Sequence, residues 1–66
     1  MEIVVNGRVR EVAERATVAT LLNQLDVTAP GVAVEVNHEL IPRSHHADHV
    51  LEEGDRLEVV TLVGGG

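Results

Sequence analysis

The chain contains no cysteine and no aromatic residue, so any core that it forms must be built from aliphatic side chains alone. Its 66 residues allow one small domain, and a domain of this size buries only about 60% of the surface of its unfolded chain. Disulfides and thiolate metal sites, which often stabilise such domains, are excluded by the composition. The pattern of valine, leucine and isoleucine therefore has to specify the fold.

The charge of the chain excludes several classes of function. Five arginines, no lysine and eleven carboxylates give a net charge of −6, which repels nucleic acid and anionic membranes and favours basic protein partners. No apolar run approaches the roughly 18 residues of a membrane span and no signal peptide begins the chain, which predicts a cytoplasmic protein. Without a nucleophilic cysteine or a Schiff-base lysine, we do not expect an independent enzyme.

The first elements are predicted to form a β-hairpin. Asn6-Gly7 separates two β-rich runs, and this dipeptide is the strongest short-range signal for a type I′ turn. Alternation places Ile3 and Val5 on one face, where we expect Val9 to join them, and places Val4 on the other face.

A short amphipathic helix is predicted at about residues 18–25. Thr17 is a suitable N-cap, and apolar side chains follow at i, i+3, i+4 and i+7. They are Val18, Leu21, Leu22 and Leu25. A helix of about eight residues is unstable alone in water, so it must pack against a sheet.

The pattern after the helix predicts three strands. In residues 32–36 and 56–63, alternate residues share one face of the chain, and that face is mainly apolar, as in a half-buried strand. Between them, residues 40–41 form a short strand that Pro42 ends.

A short helical turn near residues 45–51 is predicted before the last strand, with Ser44 as its cap. The order of elements favours an α+β fold, in which a sheet of four or five strands carries one helix across one face. Residues 1–63 would form this domain, and residues 64–66 would form a flexible glycine tail.

Three glycines, Gly64, Gly65 and Gly66, follow the most apolar strand. A tail without side chains can thread a narrow channel, and three extended residues reach about 10 Å. A carboxylate delivered in this way becomes open to nucleophilic attack once it is activated as an acyl-adenylate. The alternative is a frayed or cloning-derived terminus without function.

The chain resembles the sulfur carrier proteins of thiamine biosynthesis, a family with the ubiquitin-like β-grasp fold. The resemblance rests on six segments in order: residues 3–7, 16–22, 34–37, 41–44 and 51–58 and the terminal Gly65-Gly66. Each segment alone is only weakly specific for this family, whereas all six in this order are specific for it. The resemblance also implies that the first and last strands pair side by side at the centre of a mixed sheet.

The resemblance further implies a carrier that acts as a co-substrate. An ATP-dependent activating enzyme would adenylate the Gly66 carboxylate, sulfur from a donor protein would convert it to a thiocarboxylate, and thiazole synthase would accept the sulfur. Gly64 and Gly65 would thread the partner's active site. ATP and magnesium would belong to the activating enzyme, so this chain would bind no cofactor. Arg43 is typical of the family, without a role that we can derive.

The sheet face turned away from the helix is the predicted docking surface. Val60 and Leu62 share this face with Glu58 on the last strand, and Val4 contributes from the first strand. An exposed apolar patch beside the tail is typical of an interaction site, although scattered apolar surface residues are also ordinary.

Histidines and acidic residues are the remaining candidates. His45 and His49 stand at i and i+4, with His46 and Asp48 between them, a spacing that would place two imidazoles on one helical face. These are too few ligands for a closed metal site, so a solvated polar turn is favoured, although related carriers often have a large aromatic residue in this segment. Residues 52–55 are interpreted as a second solvated turn or as a patch for a basic partner, without catalysis.

Two alternatives to the thiazole carrier stay open at this point. A sulfur carrier for another product, such as molybdopterin or cysteine, would share the fold and the tail. A β-grasp interaction module would instead bind its partner without using its terminal glycines.

Overall fold

The computed structural model describes residues 1–27 and 31–61, which form a five-stranded sheet with one α-helix. The elements are β1 (Glu2–Val5), β2 (Arg8–Glu11), α1 (Val18–Gln24), β3 (Val32–Val36), β4 (Glu39–Ile41), a 3₁₀ turn (Arg43–His45) and β5 (Arg56–Thr61). The strand order is β2-β1-β5-β3-β4, in which β1 and β5 are parallel and the other neighbours are antiparallel. The predicted α+β class, the mixed sheet and the pairing of the first and last strands at its centre are confirmed.

The core lies between α1 and one face of the sheet. The helix buries Val18, Leu21 and Leu22 of the predicted stripe, while Leu25 at its C-terminal end is half-buried. The buried apolar side chains are all aliphatic: Ile3, Val5, Val12, Ala16, Val18, Leu21, Leu22, Val34, Val36, Ile41, Leu51 and Leu57.

The register of the hairpin places Val9 on the face opposite to the predicted one. Across the Asn6-Gly7 turn, Val5 pairs with Arg8 and Val4 pairs with Val9. Residues directly opposite each other point to the same side of a sheet, so Val9 shares the face of Val4. It is 65% exposed, and the prediction that it joins the buried side of β1 is wrong.

Two asparagines in hairpin turns hold β5 through their side chains. Asn6 (φ 50°) donates from Nδ2 to the carbonyl oxygen of Val59 at 3.1 Å, and its Oδ1 accepts from the Val59 N–H at 2.8 Å. Asn37 (φ 52°) accepts from the Arg56 N–H at 3.0 Å through Oδ1, and its own N–H donates to the Arg56 carbonyl at 2.7 Å. Each asparagine thus continues the hydrogen bonding of its strand, one on each side of β5.

The N-terminus of α1 is capped by Thr17 and by the loop that follows β4. As predicted, Thr17 Oγ1 accepts a hydrogen bond, at 3.1 Å, from the backbone N–H three residues later. The N–H groups of Val18 and Ala19 donate to the carbonyls of His49 and His46 at 3.0 and 2.9 Å. The loop therefore satisfies donors that have no partner within the helix.

The short helical turn lies earlier than predicted. It spans Arg43–His45, with Pro42 at its N-cap position and no side-chain cap, so the assignment of Ser44 as cap is wrong. Hydrogen-bonded turns continue into the predicted range, where the N–H groups of Asp48 and His49 donate to the His45 carbonyl at 3.1 and 2.9 Å. Pro42 has a φ of −58°, near the value that its ring imposes, and leads the chain directly into the turn. Arg43 begins the turn and its side chain is exposed.

Some predictions fall on residues that the structure does not describe. Leu62, Gly64, Gly65 and Gly66 lie outside the described ranges, as does the Pro30 part of the loop before β3. In the described parts of the chain, no helix is long and apolar enough to cross a membrane.

We expect Asn6→Gly to lower the free energy of unfolding by about 1 kcal/mol, because glycine keeps the left-handed backbone but removes both hydrogen bonds to Val59. Asn6→Ala should lower it by about 1 kcal/mol more, since alanine also disfavours a positive φ. Urea unfolding measures both changes, and the exposed Gln24→Ala is the control. Wild-type stability of Asn6→Gly would contradict a role for the side-chain bonds.

Candidate functional site

The sheet face turned away from α1, which we call the open face, is the candidate docking surface. In β1, β3, β4 and β5 its side chains alternate with residues that face the core, whereas all four residues of β2 are exposed. From β2 to β4 it carries Val9 and Glu11, Glu2 and Val4, Arg56, Glu58 and Val60, Ala33 and Glu35, and Leu40.

The predicted docking residues lie on the open face but not in one contiguous patch. Val60 is 49% exposed and directly faces Ala33 on β3. Val4 is half-buried, faces Val9 on β2 and is level with Arg56 on β5. Val60 therefore lies about 13 Å further along the sheet than Val4. The open face has two separate apolar pairs, of which Val60 with Ala33 is nearer to the tail.

Sequence reasoning missed Leu40 as a further apolar residue of the open face. It is 60% exposed and directly faces Glu35, while the neighbouring Ile41 is buried. The signal was available in the sequence, because two adjacent apolar residues in a strand must point to opposite faces. Leu40 extends the apolar surface of the open face to its edge strand.

Two pairs of glutamates directly face each other on the open face. Glu35 on β3 faces Glu58 on β5, and Glu2 on β1 faces Glu11 on β2. All four side chains are exposed. Like charges placed directly across a sheet destabilise it, so neither pair is explained by folding stability.

The strand that leads to the tail is held on both sides. Thr61, the last described residue of β5, pairs with Val32, and Val59 pairs with Val34. On the other side of β5, Asn6 holds Val59 through its amide. The first tail glycine, Gly64, therefore comes three residues after the end of a strand that is anchored from both flanks.

The histidine segment is less exposed than the sequence suggested. His46 is only 7% exposed, and its Nε2 lies 3.0 Å from the carbonyl oxygen of Ile41, to which it must donate because a carbonyl only accepts. The solvated-turn interpretation is therefore wrong for His46, although His45 is exposed and His49 is half-buried. Related carriers often have a large aromatic residue in this segment. That feature could have indicated that one position of the segment is buried.

A metal site does not emerge from the described residues. Within residues 1–27 and 31–61, no group of three or more histidine, cysteine or acidic side chains is placed to hold a metal ion.

The acidic turn before β5 has a structural role. Asp55 Oδ2 accepts from the Glu52 N–H at 2.8 Å, and Asp55 Oδ1 accepts from Nδ2 of Asn37 at 2.9 Å. Glu53 Oε1 accepts from the Glu2 N–H at 3.1 Å. These carboxylates close the turn on itself and join it to the start of β1 and to Asn37, the residue after β3.

We expect His46→Ala to lower the free energy of unfolding by roughly 2 kcal/mol, because it leaves a cavity and an unpaired carbonyl at Ile41. The adjacent His45→Ala is a matched control, since it removes the same side chain from an exposed position and should change stability by less than about 0.5 kcal/mol. Urea unfolding compares the two variants. Equal losses would contradict the different burial of the two imidazoles.

Comparison with known proteins identifies the family. A model of the ThiS family matches residues 3–66 of the chain. The sulfur carrier protein ThiS of Escherichia coli (strain K12) is 33% identical over 66 residues, which are 100% of both chains. The crystal structure of the thiamine biosynthesis protein ThiS from Geobacter metallireducens matches with a TM-score of 0.85 and 36% identity, again over 100% of both chains.

A longer relative contains a similar segment. The thiazole synthase of Paramagnetospirillum magneticum is 42% identical over 66 residues, which are 100% of this chain but 20% of that protein. The chain thus spans about a fifth of the length of that relative. From the family match over residues 3–66 and the full-length identity with the E. coli protein, we conclude that the chain belongs to the ThiS family.

Proposed function

We propose that the chain is a sulfur carrier of thiamine biosynthesis that carries sulfur as a thiocarboxylate on Gly66. The main support is the family match, which extends to Gly66, together with full-length identity to a relative named as a sulfur carrier. The carrier is a co-substrate of other enzymes and needs no catalytic residues of its own.

The proposed chemistry has two steps before sulfur is delivered. The Gly66 carboxylate attacks the α-phosphorus of ATP and releases pyrophosphate, which makes the carbonyl carbon electrophilic. Hydrosulfide (HS⁻), released by a donor protein, then attacks the carbonyl carbon; the bond from this carbon to the AMP oxygen breaks, AMP leaves, and loss of the S–H proton gives the thiocarboxylate. ATP and magnesium belong to the activating enzyme. Because the chain has no cysteine, it has no thiol that could capture its own activated carbonyl.

The described structure supports delivery of the tail by a fixed strand. β5 is paired with β1 and β3 and is held by Asn6, so a partner that binds the open face meets the strand that precedes the tail in a fixed position. Gly64 and Gly65 thread the partner's active site because they have no side chains. We assign docking to Val60 and Leu62 beside the tail, with Val4 as a second contact one strand away.

Thiazole synthase is the proposed sulfur acceptor. A relative named thiazole synthase contains a segment like this chain, which supports a carrier and an acceptor that work side by side. The activating enzyme and the sulfur donor are required by the chemistry, and the need for ATP favours the cytoplasm. A net charge of −6 disfavours nucleic acid and anionic membranes as partners.

We expect the intact mass to increase by the replacement of one oxygen by one sulfur after incubation with a thiamine-type activating enzyme, ATP and a sulfur donor. Mass spectrometry of the terminal peptide should localise the change to Gly66. A variant without Gly65 and Gly66 is the control, and it should bind its partners but gain no sulfur. An unchanged wild-type mass with the cognate activating enzyme, while E. coli ThiS reacts with its own, would refute the carrier function and favour the interaction module.

We expect Val60→Asp to raise the KM for thiocarboxylate formation about tenfold while kcat is retained, because a charge would be desolvated at the docking surface. Val50→Asp is a matched control: Val50 is 51% exposed and Val60 is 49% exposed, and both changes add one negative charge. Val50 lies outside the sheet, in the segment that bridges Thr17. Equal KM values for the two variants would place docking elsewhere.

A further inference from the structure

We propose that Glu35 and Glu58 together bind an arginine side chain of thiazole synthase, an inference that rests on the proposed carrier function. The two residues face each other on β3 and β5, and both are exposed on the open face. Directly opposite side chains have Cβ atoms about 5 Å apart, so the two carboxylates can reach one cation.

The repulsion within this pair is the first argument. Two like charges placed across a sheet lower the stability of the free chain, and a small domain without disulfides has little stability to lose. Arg56 stands two residues before Glu58 on the same face of β5 and offsets part of this repulsion. A cation from a partner would neutralise the repulsion that remains between Glu35 and Glu58. Relief of this repulsion would add to the free energy of binding.

The surroundings of the pair are the second argument. Val60 follows Glu58 on the open face, and Leu40 faces Glu35 from β4. These apolar side chains are 49% and 60% exposed, so the carboxylates lie between two exposed apolar contacts. Interfaces commonly combine apolar contacts with charged groups that determine which partner is accepted.

The charge of the open face indicates which kind of partner surface can bind there. A second copy of the same face would bring glutamates against glutamates, and the chain as a whole has a net charge of −6. A basic surface is therefore the complementary occupant. Arginine fits better than lysine, because its planar guanidinium presents several donors to two carboxylates at once. We assign this arginine to thiazole synthase because a relative of that name contains a segment similar to this chain.

The second glutamate pair provides an internal control. Glu2 and Glu11 face each other on the same side of the sheet, with the same charges and an equivalent cross-strand placement. They lie at the end where β1 begins, opposite to the end where β5 leads to the tail. Removal of their charges tests repulsion and overall charge without removing the proposed arginine site.

The test compares Glu35→Gln/Glu58→Gln with Glu2→Gln/Glu11→Gln in the full chain. Both double variants should melt about 2–4 °C higher than the wild type, since each loses one repulsive pair. Binding to purified thiazole synthase from the same organism is measured by calorimetry at low and high salt. We expect about tenfold weaker binding of Glu35→Gln/Glu58→Gln at low salt, with a flatter salt dependence. Glu2→Gln/Glu11→Gln, at the far end of the open face, should weaken binding by about twofold or less.

The outcomes separate this inference from the carrier function. If the wild type gains sulfur and binds thiazole synthase while Glu35→Gln/Glu58→Gln binds equally well, the glutamate pair is refuted and the carrier function stands. Equal weakening of both double variants also refutes the pair, because it would indicate overall charge. A wild type that neither gains sulfur nor binds thiazole synthase overturns both the carrier function and the arginine site.

Discussion

The parallel pairing of β1 with β5 is the contact on which the rest of the fold depends. It joins the first strand to the last through backbone hydrogen bonds of 2.9 Å from Val4 to Asp55 and from Asn6 to Leu57. β2 is attached to the sheet through β1, whereas β3 and β4 are attached through β5. Without this pair, the hairpin and the three-strand unit would be joined through the helix, the aliphatic core and the contacts of Glu2 with Glu53 and Gly54. The entropy of closing so long a loop must be offset by that core.

The parts of the structure that were predicted correctly from the sequence are those determined by interactions between residues close together in the chain. The Asn6-Gly7 turn, the Thr17 cap and the alternation of β3 and β5 all act within a few residues. The position of Val9 was wrong because its face follows from register across the turn. Burial of His46 could not be read from its neighbours, since it depends on packing of a loop against α1. Strand order came from the family resemblance, because pattern does not determine which strands pair.

The candidate site was predicted only in part, and for the same reason. Alternation correctly placed Val4 and Val60 on one face, but the distance between them depends on the pairing of β1 with β5. The glutamate pairs also arise from register, since Glu35 and Glu58 are far apart in sequence. One face of this sheet is therefore optimised for burial, whereas the other keeps exposed apolar and like-charged residues. Such a division is expected of a small domain whose uncovered face serves a partner.

The anchoring of β5 also has a mechanical consequence. In the proposed function, a partner that draws the glycine tail into a channel would pull on β5 along the axis of that strand. The hydrogen bonds that join β5 to β1 and β3 run across that axis, so the force loads them together in shear rather than breaking them one after another. Asn6 and Asn37 add side-chain bonds on the two flanks of the same strand. The strand next to the tail is thus paired on both flanks, and both sets of bonds oppose its extraction under such a pull.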